Sequence, residues 1–252
     1  LKQYRLRSKV SITDITAKWQ IQAEWNPSSI GKANAPNRDS RCDWNMYRRL
    51  IRREESVSGG SSSISTDPII YDTLRMLKGI PEGAREIVRG KAISVEYNLD
   101  LMNGIDLHKG CYLGQELVTR TLHRGVVRKR VIPIVLYDHH QPRDKFSPDP
   151  TKFIQGLEID SPLMPVEPIS AANIREVTNI ESRKSFGKLI ALQGNVGLAL
   201  ARLEEIPPAG LFAAHRPHPS ASEPSFVLGR AIIPGWWPPN RTPSATMPPP
   251  QS

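Results

Sequence analysis

Cys111 stands in the run HKGCYLGQEL, residues 108 to 117, after Lys109 and Gly110 and shortly before Gly114. Two glycines in so short a stretch permit tight turns and close approach by another backbone or a ligand. The following residues, GQELVTRTLHR, predict a helix, which puts Cys111 just ahead of a helix N-terminus. Unpaired N–H groups and the helix dipole favour a thiolate there, and Lys109 adds positive charge. Such a thiolate can act as a nucleophile or as a soft-metal ligand. The competing reading is a small buried hydrophobe, which is what a lone cysteine often is.

The possible chemistries differ in what else they require. A nucleophile needs a base within reach, and His108 and His123 are near in sequence without any fixed geometry. A closed zinc site needs about four ligands. The chain has one other cysteine, Cys42, and no second cysteine-rich motif. A single cysteine can instead give one ligand to a cluster shared with a second protein.

The elements that must position this loop are partly visible. WQIQAEW alternates strictly, with Trp19, Ile21, Ala23 and Trp25 on one face, so it predicts a strand with that face buried. KVSITDI is a weaker strand that could pair with it through a turn at 16 to 18. Residues 26 to 66 are turn-rich and apolar-poor and are expected to be disordered, with MYRRLIRREE as a short basic helix inside them. DPIIYDTLRMLKG predicts a helix with Asp67 as N-cap, Pro68 in the first turn and Gly79 at the C-terminal left-handed position. Ile70, Leu74 and Leu77 form its expected core face. After Gly125, VVRKRVIPIVLY reads as a long strand, and GKLIALQGNVGLALARLE as two strands joined at Gly194-Asn195. A proline-rich insertion fills 141 to 168. Twelve of the 23 prolines follow Glu205, so that end is expected to be extended or disordered, with AIIPGWWPP as a last docking strand.

Composition narrows the class. With Lys and Arg at 34 against 25 Asp and Glu, the net charge is +9, so RNA, anionic lipid and acidic proteins come into view as partners. The charge is spread along the chain, without aromatic interleaving, which weakens the RNA-binding reading. The longest apolar run, VIPIVLY, is too short to span a bilayer. Two cysteines make no disulfide framework and point to a reducing compartment. The first residue is leucine, and LKQYRLRSKV reads as a helix end running into a strand. The chain is therefore expected to begin inside a fold, as a fragment or a truncated product.

VEYNLDLMNGIDLHKGCYLGQELVTRTLHRGVVRKRVIP closely resembles the signature of the YgfZ-like folate-binding family, whose hallmark is KGCYxGQE. LRSKVSITDIT, GIPEG and GKLIALQGNVGLALARLE resemble its mitochondrial iron–sulfur cluster assembly branch, also called Caf-type putative transferases. The resemblance implies an α+β fold like that of the glycine cleavage T-protein. Its lobes would be a ferredoxin-like one over 1–90, with the insertion 26–66, and a remnant of the first lobe over 91–124. A C-terminal β-barrel lobe would cover 125–240, with 241–252 as a disordered tail and the first lobe truncated at its N-terminus.

The resemblance also implies a function: maturation of [4Fe-4S] proteins in the mitochondrial matrix, folate-linked, with an A-type scaffold protein as partner. Its clients would be aconitase-type and radical-SAM enzymes such as lipoate synthase. Cys111 would meet the cluster and be its one metal ligand from this chain. Lys109, Gly110, Tyr112, Gly114, Gln115 and Glu116 complete the motif loop. Arg120, one helical turn after Glu116, is placed to share its face. Tetrahydrofolate would call on Tyr112, Glu96 and Asp100. The alternative from another class is a tetrahydrofolate-dependent aminomethyl or one-carbon transferase. The motif offers no base-and-acid pair for turnover, so a non-enzymatic role is favoured.

Overall fold

The computed structural model describes residues 9–25, 37–54, 68–106, 110–112, 114–123, 127–136, 176–179, 182–207, 210–215 and 226–238. The insertion at 141–168, the tail at 241–252, Asp67 and Lys109 lie outside them. The chain divides into two compact units, Leu1–Thr66 and Asp67–Ser252. Among the described residues no helix is long and apolar enough to cross a membrane.

The first unit is a two-stranded antiparallel ribbon. Strand β1 (Trp19–Trp25) pairs with β2 (Met46–Arg52) in the register Trp19↔Arg52 to Trp25↔Met46. The arginine-rich piece expected to be a basic helix is thus a strand, and the partner of β1 is not KVSITDI. Non-local contacts decide this. Asp39, buried in the connection, pairs with Arg48 of β2 at 3.2 Å. The Arg52 guanidinium lies 5.3 Å from the Trp19 ring across the ladder. Arg49 reaches Glu24 at 2.7 Å. With its cations neutralised or stacked, MYRRLIR can extend. The face predicted to be buried is not: Ile21 is 74% exposed and its cross-strand neighbour Leu50 56%. Two strands alone cannot cover a sheet face.

The second unit is built on a closed barrel of six antiparallel strands, in the order β3-β6-β5-β4-β7-β8. The strands are β3 (Lys129–Leu136), β4 (Glu176–Asn179), β5 (Ser185–Gln193), β6 (Val196–Arg202), β7 (Leu211–His215) and β8 (Phe226–Ala231). Closure comes from β8 returning to β3, with Ile134 opposite Ala231. Ile132, Ile134 and Leu136 point inward to Phe186, Phe212, Ala199 and Ala214. Val131 and Val135 point outward and are covered by Met76, Leu77 and Tyr97. This double covering explains why the β3 sequence is apolar without alternation. Pro133 fits because the β8 ladder starts only at Ile134. Beyond it the Pro133 carbonyl accepts from the Ile232 N–H at 2.9 Å.

The hairpin at Gly194-Asn195 forms as expected, with Gly194 at φ 60° and Gln193 facing Val196. Gly194 leads that turn, as a type II′ hairpin requires. The proline-rich end is more ordered than its composition predicts, since it supplies β7 and β8. Its WW pair docks, Trp237 being buried and Trp236 donating Nε1–H to the Lys78 carbonyl at 3.0 Å.

Helix α1 (Pro68–Leu77) packs against the outside of the barrel through Met76 and Leu77, and Gly79 ends it at φ 71°. Leu74 and Leu77 are buried, but Ile70 is exposed rather than on the core face. The expected lobe over 1–90 would include α1; its packing groups it with the barrel instead. Arg75 is buried and forms bonds to Glu86 at 2.6 and 2.7 Å and to Asp72 at 2.8 Å. Burial alone would lower its pKa, but Glu86 and then Asp72 outweigh it and raise the value. This network fixes the GIPEG turn before the short helix α2 (Gly83–Glu86).

Candidate functional site

The site is built up from β3. Arg130, at the start of that apolar strand, is 1% exposed. Its guanidinium donates to both Asp100 oxygens at 2.8 Å, to the Val95 carbonyl at 2.9 Å and to Asn98 Oδ1 at 3.4 Å. The Trp237 ring lies 5.7 Å from it. Asn98, fully buried at φ 63°, donates Nδ2–H to the carbonyls of Val131 at 2.7 Å and Gly79 at 3.3 Å. The Val131 N–H donates to the Glu96 carbonyl at 2.7 Å. Together these bonds dock the turns of VEYNLDLMNG on the barrel wall and satisfy a buried cation with a carboxylate and carbonyls.

On that base sits α3 (Gln115–His123). Its Val118 is buried against Val95 and Val127. Cys111 precedes the helix as a free, exposed thiol. Tyr112 is also exposed, at 43%. Its N–H donates to Gln115 Oε1 at 3.0 Å, and the Gln115 N–H donates back to the Tyr112 carbonyl at 3.3 Å. The two bonds tie Tyr112 to the first residue of α3. Gly114 adopts φ 88°, which a side chain would strain. Gly110 has open space where a Cβ would stand, so close packing does not demand glycine there. Glu116 and Arg120 are both exposed on α3, and among the described residues no ion pair joins them.

Of the residues expected to meet tetrahydrofolate, Tyr112 is exposed, Glu96 is half-buried and Asp100 is paired with Arg130. Both Asp100 oxygens are taken by Arg130, and its side chain is 6% exposed. Glu96 is half-buried. Burial pushes its carboxyl above the ordinary range, with Lys129 pulling partly the other way. Among the described residues no three His, Cys, Asp or Glu side chains are grouped to hold a metal ion. Cys42 is half-buried in the first unit. Sequence reasoning missed Arg130 and Asn98. The available signal was an arginine at the second position of β3, directly before its apolar run VIPIVL.

A closed six-stranded barrel that follows a helix and an exposed cysteine loop defines the class. Residues 128–239, which contain every barrel strand, match the family model described as CAF17, C-terminal beta-barrel domain. Relatives described as "Iron-sulfur cluster assembly factor IBA57 homolog, mitochondrial" extend the match beyond the barrel. The one from Coccidioides immitis is 37% identical over 221 residues, covering 81% of this chain and 50% of the relative. That from Mycosarcoma maydis is 31% identical over 253 residues, covering 94% and 62%. That from Aspergillus clavatus is 43% identical over 152 residues, covering 60% and 31%. The chain is thus similar to the CAF17 barrel family over residues 128–239, and to these IBA57 homologues over most of its own length. It spans about half the length of the curated relatives it matches.

Proposed function

We propose that the protein is a mitochondrial iron–sulfur cluster assembly factor, acting in the matrix in the maturation of [4Fe-4S] proteins. The supporting observation is the exposed, free Cys111 on a loop tied to a helix that is itself anchored to the barrel. A cysteine that packs would be buried; this one is presented. Its Sγ is a soft donor suited to iron, and the cluster is cargo that the loop meets. One thiol leaves the other ligands to a partner, for which an A-type scaffold protein is the proposed candidate. Aconitase-type and radical-SAM enzymes are the proposed clients. The whole protein would carry the multi-lobed T-protein-like fold, with this chain supplying the barrel lobe. If it holds tetrahydrofolate, Tyr112 and Glu96 are the proposed residues left to meet it, because Asp100 is committed to Arg130. No step of the proposed role passes through folate.

The test is Cys111→Ser in the full-length protein, expressed in cells lacking the factor. Serine keeps the shape but offers a hard oxygen in place of the thiolate. Restored activity of [4Fe-4S] enzymes is expected to be lost at parental abundance, while Cys42→Ser restores it fully. Rescue by Cys111→Ser equal to the parent would show that the thiol is not used.

A further inference from the structure

We propose that Gln115 is a positioning residue for Cys111, acting through the Cys111–Tyr112 peptide. The inference rests on the reading of Cys111 as the thiol in use. The Tyr112 N–H belongs to the same planar unit as the Cys111 carbonyl. The 3.0 Å bond from that N–H to Gln115 Oε1 therefore fixes the plane on the C-terminal side of Cys111, and with it one of the two backbone rotations that aim the thiol. The return bond from the Gln115 N–H to the Tyr112 carbonyl, 3.3 Å, ties the same four residues from the backbone side. Gln115 is the first residue of α3, and Val118, one turn on, is packed against Val95 and Val127. The side chain thus connects an exposed loop to an anchored helix.

The need for such a tie follows from the flanking residues. Gly110 has nothing near its Cβ position, and Gly114 sits at φ 88°. Glycine has the widest backbone freedom of any residue, so a loop bounded by two of them is poorly held by its own chain. What the position requires is an acceptor at the reach of a glutamine or glutamate. Gln115→Glu keeps that acceptor and Gln115→Ala removes it.

The experiment uses the full-length protein with every cysteine except Cys111 replaced by serine and a nitroxide attached at Cys111. Gln115→Ala is expected to narrow the room-temperature spin-label spectrum, and Gln115→Glu to leave it as in the parent. With the native cysteines restored, Gln115→Ala is expected to lower rescue of [4Fe-4S] enzymes roughly 10-fold at equal abundance, the scale on which residues supporting a metal ligand act. Gln115→Glu is expected to rescue. An unchanged spectrum in Gln115→Ala, full rescue by it, or a Gln115→Glu variant that behaves like alanine would each overturn the proposal. The spectral arm reads the loop directly. It therefore stays decisive if Cys111→Ser rescues and the functional reading itself fails.

Discussion

Asp100→Asn removes one charge from the ion pair that docks residues 93–104 on the barrel. Arg130 and Asp100 have side chains only 1% and 6% exposed, so water can do little for the cation left behind. Breaking a buried pair by removing one partner costs about 3 to 5 kcal/mol. Asparagine keeps one carbonyl oxygen, and the guanidinium keeps its bonds to the Val95 carbonyl and Asn98. The expected loss is therefore at the lower end, about 3 kcal/mol, out of a total of roughly 5 to 15 kcal/mol. Urea unfolding of the full-length protein measures it as a lowered midpoint at unchanged slope. Replacing both partners, Arg130→Met with Asp100→Leu, buries no charge and should recover most of the loss. A drop below about 1 kcal/mol in Asp100→Asn, the range of exposed pairs, would refute the claim that this pair is desolvated.

Two further outcomes follow from single positions. Burial raises the Glu96 pKa above its ordinary 4.5, so folding favours the protonated form. Its contribution to stability is full below the unfolded-state value and is lost as pH rises through the folded one. Glu96→Gln should therefore gain thermal stability over the parent as pH goes from acid to neutral, and a pH-independent difference in melting temperature would contradict this. At Gly197, an added Cβ would lie 2.5 Å from the Ala191 carbonyl oxygen and 2.9 Å from Leu192 Cδ1. Gly197→Ala should cost about 3 kcal/mol by urea unfolding, because backbone on the neighbouring strand cannot yield, while Gly235→Ala, facing open space, should stay within about 0.5 kcal/mol.

Which parts of the fold were legible depends on where their determinants lie. The β5–β6 hairpin is written in two adjacent residues, and the end of α1 in Gly79, so both are readable locally. Strand β2 is not. MYRRLIR has the composition of a solvated helix, and it extends because Asp39, Trp19 and Glu24 accommodate its arginines from elsewhere in the chain. Strands β7 and β8 were obscured by the prolines around them. Their place is set by closure of the barrel, Ile134 to Ala231, across nearly 100 residues of sequence.

The candidate site divides along the same line, and the division bears on how the loop works. Cys111, Gly114 and Gln115 lie within five residues, and the bond that ties them is local, so the sequence motif shows the loop whole. The support beneath it is not local. Val95 reaches Val118 under α3, and Arg130 reaches back to the Val95 carbonyl, Asn98 and Asp100. Asp100 looked like a ligand residue because it falls in the motif's leading segment. Its neighbours give it a different role, since it neutralises the arginine that holds the floor. A loop bordered by two glycines cannot hold a thiol in place by itself. The Arg130–Asp100 pair and the Val118 contact therefore supply the rigidity that the motif lacks, and loss of either should loosen Cys111 from a distance without touching it.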